Sequence, residues 1–298
     1  MAATPDTAIR NVSDTALWVA LYRAMESERP DALFRDPYAR SLAGERGEAI
    51  VQAMPHGANL GWPMVVRTVV IDALVERCVR EHGIRTILNL AAGLDTRPYR
   101  LDLPAGLAWL HVDMPVMVDY MRTGMQGEAP RCRLEYHAAD LRQEADRKTL
   151  WRHPALSDPT LVISEGLLVY LEPDAVAALA RDLRGVPAIT AWVTDLASPA
   201  LRKLMARQGW LDRLESSQAA MRFFPQEGTD FFTPFGWREV EFHSTVGESW
   251  RLKRSFRGAG LYRFLSRLMP RAKRENMLRM SGIVLLRPNH VGEEGQTP

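Results

Sequence analysis

From residue 86 to residue 193 the sequence alternates short apolar runs with helical or turn-rich stretches, and no other feature limits its fold so strongly. Runs at 86–90, 107–112, 134–138, 161–164 and 189–193 have the length and β-rich composition of buried strands. The segments between them follow a different period. After Glu172 and Pro173, Val176, Leu179 and Leu183 recur at helical spacing and form one apolar face. Strand, helix and strand in succession close as a right-handed crossover, so the alternation predicts an α/β fold with a parallel sheet covered on both faces. At 298 residues and 46% hydrophobic, the chain can bury such a core.

The flanks have another texture. Residues 1–80 read as a helical cap: Leu17, Leu21 and Met25 recur at helical spacing over 15–25, with Ser13 and Asp14 available as caps, and a second helix is expected over 64–81. Prolines break the stretch between them into short pieces. Residues 81–196 form the expected ligand-binding core. Residues 197–288 are expected to hold an inserted lid or substrate region, including 197–234, and two closing strands at 239–243 and 281–286. Residues 289–298 read as a disordered tail.

Composition removes several classes of function. A net charge of +2, with no run of like charge standing out, predicts neither a nucleic-acid nor a membrane-surface partner. Cys78 and Cys132 cannot build a disulfide framework, and the seven histidines do not cluster with acids or cysteines at metal spacing, so no metal is expected. His111 and His137 lie inside strands and are expected to point into packing. The N-terminus lacks a basic region followed by a long apolar segment, and no apolar run is long enough to cross a bilayer. A reducing cytoplasm is the expected location.

The stretch "ILNLAAGLDTRPYRL" looks like a nucleotide-binding turn with an acid in it. Each of four expected strands delivers a carboxylate near its end: Asp95, Asp113, Asp140 and Glu165. Ligands of open parallel sheets sit beyond these ends. Asp113 lies about twenty residues past the turn, where a carboxylate accepts from ribose hydroxyls. Asp95 discriminates more, because a carboxylate under a pyrophosphate would repel it. S-adenosylmethionine has no phosphate and carries a sulfonium and an ammonium. Arg67, on the preceding helix, is placed to meet its α-carboxylate, and Asp140 to accept from the adenine amino group.

The motifs "NLAAGLDTRPYRL", "VDMP" and "ISEGLLVYL" occur in that order, with "TALWVALYRAMESERPDALFRDPYA" and "VVRT" before them. Together they resemble the leucine carboxyl methyltransferase superfamily, in particular its bacterial tetracenomycin-type O-methyltransferases. The similarity covers most of 15–195 and returns in "GWREVEF" and "GIVLLR". The resemblance implies a class I methyltransferase (Rossmann-like) fold, with a mostly parallel seven-stranded sheet whose last strand is antiparallel. It also implies S-adenosyl-L-methionine contacts from Arg67, Ala91, Ala92, Gly93, Asp113 with Met114, Asp140 with Leu141, and Glu165 with Gly166. Ala91 stands where a glycine is common.

Methyl transfer requires an in-line nucleophile held at near-contact distance, and a carboxylate acceptor needs no base whereas a hydroxyl benefits from one. Tyr170 is a candidate to line the methyl channel and His243 a candidate base, each with a purely structural alternative. The insertion's aromatics, Trp210, Phe223, Phe224, Phe231, Phe232, Phe235 and Trp237, are expected either to form an acceptor pocket or to anchor the insertion. The expected acceptor is a carboxyl or hydroxyl group of a secondary metabolite. A protein C-terminal carboxylate is the alternative, and a cofactor-binding interaction protein without catalysis is a third reading. A nicotinamide-dependent reductase is disfavoured, because the glycine pattern is missing and no tyrosine has a lysine four positions later. The oligomeric state is not indicated.

Overall fold

A computed structural model describes residues 12–54, 61–209, 211 and 219–289. Seven strands form one sheet: β1 (Thr86–Leu90), β2 (Ala108–Asp113), β3 (Arg133–Ala138), β4 (Thr160–Ser164), β5 (Ile189–Ala197), β6 (Trp237–Ser244) and β7 (Ser281–Pro288). Their spatial order is β3-β2-β1-β4-β5-β7-β6. Strands β1 to β5 pair in parallel, whereas β7 runs antiparallel to both β5 and β6. The fold is that of a class I methyltransferase, and each strand expected from the sequence overlaps an observed one.

Strand composition explains this placement. Along β1, Ile87 faces one layer while Leu88 and Leu90 face the other, and every residue of β1, β2 and β4 is buried. Only a sheet covered on both sides accepts such runs. Helix α3 (Trp62–Glu81) covers one face through Val66, Val70, Ile71, Leu74 and Val75. Helix α7 (Pro173–Arg184) covers the other with the predicted face of Val176, Leu179 and Leu183.

Helix α1 (Val12–Ser27) begins before the anticipated caps, so Asp14 lies in its first turn, paired with Arg46 at 2.7 Å. Leu21 packs against Leu42, Ala43 and Val51 of α2 (Ala39–Ala53). Its neighbouring face carries Thr15, Trp18, Val19 and Tyr22 at helical spacing and looks toward the ends of the strands. The other α-helices among the described residues include α4 (Arg97–Arg100), α5 (Pro115–Gly124), α6 (Glu144–Leu150), α8 (Pro199–Arg207), α9 (Thr245–Arg251), α10 (Ala259–Ser266) and α11 (Arg271–Leu278). No described helix is long and apolar enough to cross a membrane. The expected tail, apart from Asn289, lies outside the described residues, as does Trp210.

Candidate functional site

Chain connections from β1 go outward in one direction through β2 and β3, and in the other through β4 and β5. A crevice opens where that direction reverses, beyond the carboxyl ends of β1 and β4. The turn after β1, Asp113, Glu165 with Gly166, and Asp195 all arrive there. With α1, α3, α8 and residues 220–224 they enclose a cavity of about 1480 Å³.

Left-handed residues make the turn: Ala91 has φ 50° and Gly93 φ 54°. The alanine at the glycine position thus adopts the glycine-like conformation, at a strain of about 1–2 kcal/mol. Asp113 braces the turn from the end of β2. Its Oδ2 accepts from the Gly93 amide at 2.6 Å and its Oδ1 from the Met114 amide at 2.7 Å. Burial raises the Asp113 carboxyl above its ordinary range, and the two amides partly offset this.

An ion-pair network forms the floor. Arg97 donates from Nε to Asp72 at 2.6 Å and from Nη1 to both Asp95 and Glu165 at 2.8 Å. Arg100 is bidentate on Asp72. Arg67 lies 3.1 Å from Asp195 and, through Nε, 2.8 Å from Glu165, in a pair whose angle falls short of a hydrogen bond. Burial opposes the Glu165 charge, yet Arg97 and Arg67 outweigh it and hold the carboxyl at about 2. Burial also opposes charge on Arg67, which Glu165 and Asp195 restore. Arg23 joins through Asp36 at 2.8 Å and the Leu94 carbonyl at 2.6 Å. Four guanidinium groups thus face five carboxylates, so the network has a formal excess of negative charge.

Gly166, φ 66°, completes the floor. A Cβ there would come within 3.3 Å of Arg67 Nη1, so both conformation and space call for glycine.

The other wall is apolar. Trp18, Trp62, Leu201, Met205, Phe256 and Tyr262 line it among others, with Phe223 and Phe224 from the insertion. The insertion's aromatics therefore divide between both anticipated roles. Phe232 and Trp237 pack edge-on against Trp192, at 5.2 and 5.5 Å between centroids, and anchor the segment to the sheet. Phe231 packs on Phe223 at 4.8 Å, and Phe235 on Phe231 at 5.5 Å.

Most sequence-predicted site residues meet in this cavity: Arg67, Ala91, Ala92, Gly93, Asp95 and Asp113, then Met114, Asp140, Leu141, Glu165, Gly166 and Tyr170. Their surroundings modify three of those expectations. Asp95 does not present an uncompensated charge, because Arg97 and Asn89 hold it. Asp140 is bidentate on Arg142, which lowers its carboxyl. Tyr170 is hydrogen-bonded to Thr15, and burial raises its phenol, so at neutral pH it holds its proton.

His243 does not line the cavity. It lies on β6, with Nε2 3.0 Å from Glu241 and Nδ1 3.6 Å from Glu248. His111 is packed inside, as anticipated, and burial lowers its imidazole to about 4. Neither of its ring nitrogens makes a hydrogen bond of good geometry, although Asp95 and the Gly93 backbone favour the protonated form.

The expectation of unclustered histidines needs correction. Glu135 and His137 share a face of edge strand β3, and the loop before Pro154 brings His153 to them, with one ligand atom of each within 4.8 Å of the others. Sequence spacing hides the group, because only the path of that loop closes it. His153 Nδ1 accepts from the Ala155 amide, which leaves Nε2 as the donor toward Glu135 at 3.3 Å. His137 Nε2 lies 3.6 Å from the same carboxylate and makes no hydrogen bond.

The sequence model of the leucine carboxyl methyltransferase family matches residues 16–184. The chain belongs to the leucine carboxyl methyltransferase family. A family relative from Frankia alni, provisionally named an S-adenosyl-L-methionine-dependent methyltransferase, is 30% identical over 246 residues, 76% of this chain and 83% of the relative. Another of the same provisional name, from Mycobacteroides abscessus, is 33% identical over 186 residues, 58% of this chain. The chain spans only 60% to 62% of the length of that and three further relatives. Among solved structures, a DUF574 family protein from Streptomyces avermitilis shares the fold, with TM-score 0.58 at 15% identity over 91% of this chain and 96% of that one.

Arg97, Arg23, Asp72 and Asp195 were not singled out in the sequence. Arg97 had a usable signal, since it stands two residues after Asp95 in "DTRPYR". Asp195 had one too, since it stands two residues past the expected strand at 189–193, whereas Asp72 had none, because only the packing of α3 against the sheet brings it to the floor.

Proposed function

We propose that the chain transfers a methyl group from S-adenosyl-L-methionine to a carboxyl or hydroxyl oxygen of an apolar small molecule of the secondary-metabolite kind. One observation carries this reading: a single cavity joins an anionic floor at the switch point to an apolar chamber. At about 1480 Å³ it exceeds the roughly 300–1,000 Å³ of ordinary single-ligand pockets, which leaves room for cofactor and acceptor side by side.

The donor set suits this cofactor. Asp113 retains lone pairs for ribose hydroxyls, and Asp140 with the Leu141 amide faces the position of a base; no acceptor for that amide occurs among the described residues. Met114 and Ala92 border the same space. Arg67, whose guanidinium lines the cavity beside Gly166, is the cation to hold an α-carboxylate. The surplus negative charge of Glu165, Asp195 and their neighbours favours an ammonium and a sulfonium. When bound, the cofactor supplies an electrophilic methyl group on cationic sulfur.

The chain's own contribution is positioning and exclusion of water. Tyr170, protonated and fixed by Thr15, donates a hydrogen bond that orients an acceptor oxygen, and it does not act as a base. His243 lies outside the cavity and takes no part. With no free base among the described lining residues, an acceptor that arrives ionised suits the site better than an alcohol.

Calorimetric titration with S-adenosyl-L-methionine, with a nicotinamide dinucleotide as control, tests the cofactor. Binding of the dinucleotide alone would end the methyltransferase reading. Methyl-labelled cofactor then separates the acceptors, because a methyl ester releases labelled methanol in base and a methyl ether does not.

A further inference from the structure

Helix α10 is turned inside out. Its buried side carries Ala259 and Ser266, with Tyr262 against the cavity, while Leu261, Phe264, Leu265 and the following Leu268 are 65%, 59%, 46% and 73% exposed. These four follow the i, i+3, i+4, i+7 spacing and occupy an arc of about 100°. A helix of a globular core would turn that stripe inward.

Charge gathers at the same place. Between Ser249 and Arg274 the sequence has nine basic residues and no acid, although the whole chain has a net charge of only +2. Arg251, Arg254 and Arg271 are ion-paired, to Glu248, Glu26 and Glu275. Lys253, Arg257, Arg263, Arg267, Lys273 and Arg274 meet no carboxylate among the described residues. On the helical wheel Arg267 lies about 60° from the edge of the apolar arc, whereas Arg263 turns away from it and stacks over the Trp250 ring at 5.9 Å.

We propose that this face docks on an anionic lipid surface, with the Leu261, Phe264, Leu265 and Leu268 side chains entering the acyl boundary and the cations meeting the headgroups. A second copy of the chain suits it less, since a two-fold contact would bring like-charged edges together. A nucleic acid would match the cations but leave the apolar stripe exposed. Because Tyr262 of α10 and Phe256 just before it line the cavity, an acceptor with an apolar tail can pass from the bilayer into the chamber. That last consequence rests on the methyltransferase reading; the docking does not.

The test is co-sedimentation of the full chain with vesicles of phosphatidylcholine alone and of phosphatidylcholine mixed equally with phosphatidylglycerol. The expected result is at least about tenfold more binding to the anionic vesicles, reduced by raised salt. The double variant Phe264→Ser, Leu268→Ser should lose most of that binding and, separately, Arg267→Ser a part of it. Both should keep the parent's thermal midpoint and its affinity for S-adenosyl-L-methionine, since they change exposed side chains. Equal or absent binding to the two vesicle types would overturn the proposal. So would unchanged binding by the variants, a dimer in sedimentation that the Phe264→Ser, Leu268→Ser variant dissolves, or binding to an oligonucleotide in place of vesicles.

Discussion

On one side of the cavity, Arg97 is 2% exposed and holds three carboxylates at once, from α3, the turn after β1 and the end of β4. On the other, Trp18, Leu201, Met205 and Phe256 come from a capping helix, an insertion and a basic C-terminal stretch. Directional hydrogen bonds fix the first wall, so a shift in one member leaves another buried and unpaired. Non-directional contact shapes the second, which can change side chains with little penalty. The polar wall is thus over-determined by its pairings, whereas the apolar wall tolerates exchange of its side chains.

The sharpest way to break this contrast is Arg97→Met. It would leave Asp72, Asp95 and Glu165 crowded with fewer cations, and removal of one partner from a buried network typically destabilises by about 3–5 kcal/mol. Denaturant titration reads it directly. A loss below about 1 kcal/mol, as expected of a surface pair, would mean that the floor is not over-determined.

His111 lies beneath that floor and is the unpaired exception to it. Its imidazole stays neutral down to about pH 4, against an ordinary 6.5. Below pH 6.5 the unfolded chain takes up a proton that the folded chain refuses. The contribution is therefore complete above pH 6.5 and declines as pH falls to about 4, by roughly 3 kcal/mol in all. Denaturation curves at pH 7 and pH 4.5 should show this loss in the parent and a smaller one in His111→Leu. Parallel losses would show that another group titrates in that window.

The sheet was legible in the sequence because buried parallel strands are nearly uniform apolar runs, as at β1, β2 and β4. The carboxylates at the strand ends were legible for the same reason, since fold topology fixes where those ends point. What they pair with was not. The Asp95 charge reads as free until α4 places Arg97 on it, and the Arg67 charge reads as free for a ligand until β4 and β5 deliver Glu165 and Asp195 to it. His243 lies outside the cavity because β6 is the far edge strand of the sheet, which its place in the sequence does not show. The stretch 250–280 reads as basic and partly helical, but nothing in its spacing says that the apolar residues of α10 face outward.

Asp113 sharpens the contrast from the ligand's side, because it belongs to the polar wall yet keeps lone pairs facing the cavity. Asp113→Ala should weaken S-adenosyl-L-methionine binding by about 1–3 kcal/mol, roughly 5- to 150-fold, through lost charge-assisted hydrogen bonds. The demethylated product should lose as much, since its ribose is the same. Unchanged calorimetric affinity for both would reduce Asp113 to a brace for Gly93 and Met114.

Ala91→Gly probes the smallest term and carries the contrast down to the backbone. With φ 50°, Ala91 stores about 1–2 kcal/mol of left-handed strain that a glycine would not feel. Glycine in turn stabilises the unfolded chain by roughly 0.5–1 kcal/mol through its extra freedom. The difference leaves the variant more stable by up to about 1.5 kcal/mol, a gain unusual for removal of a side chain. Cofactor affinity should change less than this, because Gly93 and Asp113 already fix the turn beyond Ala91. If the variant is instead destabilised, the alanine methyl is held by its contacts with the apolar core at the base of the turn. The two walls would then meet at that methyl group, and the strain would be the consequence of keeping them joined.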